Sequence, residues 1–384
     1  MLIRKDIANL TSYKAGKPIE EVKRAFRLKQ VIKLASNENP LSVSQKAQAA
    51  IKRAIPQLNR YPETSGFYVR KALAAKLKLN PDMFVLGNGS DELIDIIIKT
   101  FVEKDENIIT ADITFLEYKI IAQILGRKVI TVPLKNFVFD LEAVANKINK
   151  KTKLIFIANP NNPTGTYVNK KRLDSFIKSL GRSVILVLDE AYDNFIDVED
   201  FPQSRDYLKR GNIIILKTFS KSYALAGARI GYAICPLYLT QCLQKVKPPF
   251  NVNSLAQAGA VASLKDEAHL RKSRQIVLEG KDYLYQELDK MGLRYIPTVA
   301  NFILIDVSPV RSPRHGIWRG SRPGRLTSNG VRKSGSLLCK KMQRLGIIAR
   351  DMDQYGLKNF IRVTIGRPLE NRKFIKALKK VLNI

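Results

Sequence analysis

The chain has 384 residues, 45% of them apolar, enough to bury a substantial core in two domains or one large one. Its formal charge of +32 favours polyanions and anionic small molecules without specifying a function, and no recognised motif makes nucleic acid an expected partner. With no run of about 18 apolar residues and with three cysteines (Cys235, Cys242, Cys339) that lack ligand spacing, a membrane span, a disulfide framework and a metal site are not expected.

Residues 1–31 are polar and close on PIEEVKRAF, which reads as a short helix beginning near Pro18. VIKLASNENPLSVS follows as a short strand, an Asn/Pro turn and the start of a helix. Next comes Asn59-Arg60-Tyr61-Pro62, a turn that precedes Gly66 and a further helix. FVLGNGSDELIDIIIKTF has the shape strand, glycine turn, helix, and the backbone N–H groups at Ser90-Asp91-Glu92 offer an anion site. Asp91 is also a good N-terminal capping residue. A strand at Asn107–Thr110 leads to Asp112-Ile113-Thr114-Phe115, and Tyr118, one helical turn on, reads as packing, with a place in the pocket left open.

Three apolar runs then end on chemistry. LIFIANPNNPTGTYV stops on a turn dense in Pro and Gly that presents Asn162. VILVLDEAY carries Asp189 at its carboxyl end, where a buried carboxylate is costly unless it meets a cation. IIILKTFSKSYALAGARIG delivers Lys221 after a hydroxyl-rich turn; desolvation and cationic neighbours lower a lysine's pKa enough to make a Schiff base feasible. The hydroxyls of Thr218 and Ser220 and the guanidinium of Arg229 together suit a phosphate. Ligands of open α/β sheets sit beyond the carboxyl ends of the strands, so these stretches and Asn88–Asp91 point to one crevice.

The remainder reads as a long helix from about Asp266 to Met291, strands within RYIPTVANFILIDV, an alternating strand FIRVTIG with Arg362 amid apolar neighbours, and an amphipathic helix from Pro368. One stretch does not fit. From Ser308 to about Gly335 the residues are Arg, Gly, Ser and Pro with no Asp or Glu and no period, which reads as a disordered basic insert. His315 and Trp318 lie inside it and receive no role.

The segments SNENP, RYP, NPNNPTG, DEAY and LKTFSKSYALAGARIG together resemble the fold-type I enzymes that use pyridoxal phosphate (PLP), and within them the histidinol-phosphate aminotransferase branch. The resemblance runs from Tyr13 to about Val307 and again from about Leu337 to the end. It implies an α/β fold with a mainly parallel seven-stranded sheet, a large PLP-binding domain at 37–261, and a smaller α/β domain built from 1–36 and 262–384. It further implies that Lys221 carries PLP and acts as the catalytic base, and that Asp189 pairs with the pyridine nitrogen. Asn162 and Tyr192 would bond the phenolic oxygen and Phe115 would stack on the ring, although the family's usual proline is Ile113 here. Ser90, Asp91, Thr218, Ser220 and Arg229 would anchor the phosphate, with Tyr61 reaching across from the second subunit of a homodimer. Substrate contacts would come from Tyr13 on the arm, Glu38, Arg350 and Arg362.

The expected reaction is transamination between L-histidinol phosphate and 2-oxoglutarate in the cytoplasm. An aromatic amino-acid aminotransferase or a phosphothreonine decarboxylase of the same branch would look alike, and a basic nucleic-acid-binding protein on an inactive scaffold is the reading from another class.

Overall fold

The computed structural model describes residues 2–308 and 334–384. Apart from Ser308, Ser334 and Gly335, the expected basic insert, with His315 and Trp318, lies outside the described residues. In chain order the strands are β1 (Ile32–Lys33), β2 (Phe84–Gly87), β3 (Asn107–Ala111), β4 (Lys128–Val132), β5 (Thr152–Ala158), β6 (Ile185–Asp189), β7 (Ile213–Thr218), β8 (Gly231–Ile234), β9 (Arg294–Ile296), β10 (Phe302–Asp306), β11 (Ile347–Ile348), β12 (Arg350–Asp351) and β13 (Phe360–Thr364).

Seven of these form one sheet in the order β2-β8-β7-β6-β5-β3-β4. The pairs from β7 through β4 are parallel, while β8 runs antiparallel to both β2 and β7. This is the mainly parallel seven-stranded sheet expected from the sequence. Its central strands are β-branched and buried along nearly their whole length, as a sheet covered by helices on both faces requires. The reversal of β8 matters for the site. Because β2 and β7 both run opposite to β8, their carboxyl ends lie at the same edge as the amino end of β8, and Gly231 pairs with both Gly87 and Thr218. Arg229, two residues before Gly231, is thereby carried to the edge where Ser90, Asp189 and Lys221 emerge.

A second, antiparallel sheet, β12-β13-β10-β9, and the short parallel pair β1-β11 make a smaller body. Its core joins Phe302, Ile361 and Phe374 to Leu34 from the N-terminal segment and to Tyr192 and Phe195 just past β6. The larger core extends to Leu264, so the division expected at 261 falls inside the helix Ser254–Leu264. The helix Glu267–Lys290, capped by the Asp266 side chain, then leads from one core to the other. Gly335–Arg344 and Pro368–Leu382 are helices, close to where the sequence pattern puts them. Among the described residues no helix is long and apolar enough to cross a membrane.

Candidate active site

At the carboxyl edge of the large sheet lies a cavity of about 450 Å³, closed on its other side by β13 and the N-terminal segment. Its lining brings together Tyr13, Glu38, Ser90, Asp91, Phe115, Asn162, Asp189, Tyr192, Thr218, Ser220, Lys221, Arg229 and Arg362. Two residues from the sequence analysis lie outside it. Tyr61 is 82% exposed and stacks on Phe250, with ring centroids 4.6 Å apart. Arg350 turns away from the cavity: its guanidinium donates to the Lys14 carbonyl oxygen, lies 5.3 Å from the Tyr13 ring, and reaches Gln354 Oε1 at 3.3 Å. In this structure Arg350 holds the arm segment that sets Tyr13 over the cavity mouth.

Lys221 is half-buried, and its Nζ donates to the Ser36 carbonyl oxygen at 3.2 Å and lies 5.7 Å from the Tyr192 ring centroid. Burial, helped by the Arg362 charge, pushes its pKa down to about 8, with Asp91 and Glu38 opposing. About a tenth of such a lysine is the neutral amine at pH 7, far more than of an exposed one. Asp189, 5% exposed at the end of β6, accepts a 2.6 Å hydrogen bond from the Tyr118 hydroxyl on Oδ2 and a 3.2 Å bond from Ala191 N–H on Oδ1. Burial still pushes its carboxyl up to about 6, since those two donors do not replace a cation.

Asn162 Oδ1 accepts from Arg362 Nη1, while Arg362 Nη2 donates to the Ala35 carbonyl oxygen at 3.1 Å. Arg362 is 4% exposed, lies 5.2 Å from the Phe302 ring, and among the described residues leaves its Nε without a hydrogen-bond partner and forms no ion pair with a carboxylate. A guanidinium this deeply desolvated and matched only by neutral oxygens is an incomplete pair, ready for an anion in the cavity. The Tyr192 hydroxyl accepts from Asn37 Nδ2 at 3.0 Å.

The anion cradle sits at the amino end of the helix Ser90–Phe101. Gly89 has φ +85°, and a Cβ there would come within 2.3 Å of Arg229 Nη2, so glycine is needed for the guanidinium to lie against the turn. Arg229 bridges to Ser220 Oγ at 3.4 Å and to Asp91 Oδ2 at 3.1 Å. Asp91 does not cap the helix, because it lies inside the first turn; Gly89 occupies the cap site without a side-chain bond. Outside the cavity, Lys217 is clamped by Glu190 at 2.8 Å and by Asp193, tying the loop after β6 to β7. Burial works against its charge, but Asp193 and Glu190 outweigh it and push the pKa well above the ordinary lysine range.

Two features of the site were not singled out along the chain: Asn37, which bonds both Tyr192 and Thr364, and the Lys217 clamp. Tyr118, expected to pack with a place in the pocket left open, lines the cavity. The ring does pack, stacked on Phe156 at 4.8 Å, but its hydroxyl belongs to Asp189. A polar residue one turn after a cavity aromatic, buried on an otherwise apolar helix face, was the available signal.

An amine of lowered pKa, a buried acid and a cationic cradle at the carboxyl edge of a doubly covered sheet define an α/β enzyme built to hold an anionic, carbonyl-bearing group. The chain belongs to the family of class I and II aminotransferases, whose model matches residues 29–378. It is 43% identical over 381 residues to the histidinol-phosphate aminotransferase of Moorella thermoacetica, covering 99% of this chain and 92% of that one. It is also 39% identical to histidinol-phosphate aminotransferase 2 of Carboxydothermus hydrogenoformans, covering 100% of each. Among solved structures, the histidinol-phosphate aminotransferase of Clostridium acetobutylicum matches with a TM-score of 0.79 at 27% identity, over 92% of this chain and 99% of that one. That of Sinorhizobium meliloti, solved in complex with pyridoxal-5'-phosphate, matches in fold with a TM-score of 0.83 at 23% identity, over 100% and 98%. The fold is that of the fold-type I PLP-dependent transferases.

Proposed function

We propose that this chain is a PLP-dependent transaminase that moves the amino group of L-histidinol phosphate to 2-oxoglutarate, giving imidazole acetol phosphate and L-glutamate in histidine biosynthesis. The observation that carries the reading is the meeting of Lys221, Asp189 and Arg362 in one cavity. Full-length relatives of that name support the substrate.

The residues present fit the cofactor. Among the described residues the buried Asp189 carboxylate is bonded by the Tyr118 hydroxyl and the Ala191 N–H and by no cation, and a protonated pyridine nitrogen is a partner of the right sign. Ser90, Asp91, Thr218, Ser220 and Arg229 supply the phosphate cradle, and a Cβ on Gly231 would come within 2.6 Å of Ser90 N, so the two turns are held close there. Phe115 offers a ring face, and Asn162 and Tyr192 would hold the phenolic oxygen. When bound, PLP supplies an electron sink for the charge left on the substrate carbon.

The chain's own residues do the rest. Lys221 Nζ would hold the cofactor and, when freed by the substrate amine, would take the proton from the substrate carbon as general base. Asp189 would keep a pyridine nitrogen beside it protonated. Arg362 binds the substrate phosphate in one half-reaction and the carboxylate of glutamate in the other, the fork suiting either anion. Tyr13, drawn over the mouth by Arg350, and Glu38, paired with Lys33 at 2.8 Å, face the substrate's other end. Arg350 would reach the substrate only after releasing Lys14.

The large domain is taken as 37–261 and the small one as the two flanking segments, with the cavity between them. A homodimer is supported by the run of large apolar and aromatic side chains left exposed within residues 55–68, namely Ile55, Leu58, Tyr61, Phe67 and Tyr68. Tyr61 on that patch would complete the phosphate cradle of the second subunit. A cytoplasmic location accords with a biosynthetic role. The test is incubation of purified protein with PLP, histidinol phosphate and 2-oxoglutarate, with glutamate measured. Turnover absent in the wild type, or unchanged in Lys221→Ala, refutes the reading.

A further inference from the structure

Asp189 carries the negative charge at the floor of the cavity, and its surroundings do little to keep it there. Burial disfavours its ionised form, and the acidic groups Asp91 and the adjacent Glu190 add to that. Among the described residues the donors on its carboxylate are the Ala191 N–H at 3.2 Å and the Tyr118 hydroxyl at 2.6 Å. The second is shorter, and comes from an element separated from Asp189 by 71 positions in the chain.

Packing alone does not call for a tyrosine at 118. Its side chain is fully buried, lies parallel to Phe156 at 4.8 Å and 17°, and meets the cavity residue Phe115 edge-on at 5.6 Å and 84°. A phenylalanine would make both ring contacts. A hydroxyl in so apolar a setting is tolerated only with a partner, and the partner here is the acid.

We propose that Tyr118 is a positioning residue for the reaction: its hydroxyl orients the Asp189 carboxylate and holds it as an acceptor for the cofactor's ring nitrogen. A donor on Oδ2 fixes rotation about the Cβ–Cγ bond, which the backbone bond to Oδ1 alone constrains weakly. It also stabilises the charged form of the carboxylate, the form that keeps a pyridine nitrogen protonated. Tyr118 lines the cavity beside Phe115, and its role in the reaction is exerted through Asp189. The inference rests on the proposed function and assigns to that site the residue that tunes its acid.

The experiment is a double-mutant cycle on cofactor affinity. Apo-protein of the wild type, Tyr118→Phe, Asp189→Asn and the double variant is titrated with PLP and followed by the absorbance of the bound cofactor. Tyr118→Phe is expected to weaken binding about tenfold in the wild-type background, as loss of one hydrogen bond to a charged group does, and less than twofold when Asp189 is already Asn. The absorbance maximum of bound cofactor is also expected to shift in Tyr118→Phe, since ring protonation changes. An equal loss in both backgrounds, no loss in either, or a Tyr118→Phe chain that does not fold overturns the positioning role. A wild type that binds no PLP overturns the proposed function itself, and the inference with it, a result distinct from any pattern among the variants.

Discussion

Replacing Lys221 by Met removes the amine on which the chemistry depends and, by the same physics, makes the cofactor-free protein more stable. Burial and the Arg362 charge hold the Lys221 pKa at about 8, against an ordinary value of 10.5. The difference of roughly 2.5 units corresponds to about 3 kcal/mol by which folding disfavours the protonated amine. Below pH 8 both folded and unfolded chains carry that proton, so the whole penalty is present. Between about pH 8 and 10.5 the folded chain sheds it first and the penalty fades, and above 10.5 both states are neutral and none remains. Methionine fills a similar volume without charge but loses the bond to Ser36, worth about 1 kcal/mol. The net expectation is that apo Lys221→Met exceeds the wild type by about 2 kcal/mol at pH 7, with the advantage nearly gone by pH 9.5. Urea unfolding of both apo-proteins at pH 7, 8 and 9.5 measures this, and cofactor must be absent because it would stabilise the wild type by binding. A variant less stable than the wild type at pH 7, or an advantage that grows with pH, refutes the account of a strained, desolvated amine.

Three further outcomes follow from the site and its supports. Arg362→Lys keeps the charge but not the fork that spans Asn162, Ala35 and a bound anion, so KM for histidinol phosphate should rise 10- to 100-fold with a smaller change in kcat; steady-state kinetics with the non-phosphorylated alcohol, which lacks the anion, should show little difference between the two enzymes. Lys217→Met leaves Glu190 and Asp193 facing one another without their cation, and should lower stability by about 3 kcal/mol in chemical denaturation at pH 7; a loss below 1 kcal/mol would mean that water replaces the clamp. Phe67→Asp places a charge on the exposed patch beside Tyr68, and sedimentation should report a shift toward monomer together with weaker PLP retention, whereas an unchanged species would remove the patch from the subunit interface.

Much of this site was legible along the chain. Strands β5, β6 and β7 announce themselves as buried β-branched runs, and each stops on residues that a strand interior does not tolerate: the NPNNPTG turn, Asp189, and the turn before Lys221. Gly89, with its left-handed backbone, marks the turn where the helix Ser90–Phe101 begins. Such features are local, because backbone sterics and the length of an apolar run act over a few residues.

The pairings between distant elements were decided elsewhere. Asp91 has the chemistry of a helix cap, yet the antiparallel reversal of β8 brings Arg229 to the same sheet edge and the carboxylate takes the guanidinium. Arg350 and Arg362 are both arginines on strands of the smaller sheet, and they face each other across the β12-β13 pair. Only the second opens into the cavity, since the first meets the arm at Lys14 and Tyr13. The hydroxyl of Tyr118 finds Asp189 because β3 and β6 flank β5 in the sheet, which no spacing along the chain encodes. Sequence by itself thus determined where strands stop and which reactive groups stand at their ends; strand order and the docking of the second sheet decided which of those groups meet, because electrostatic and hydrogen-bond partners are chosen by distance in space.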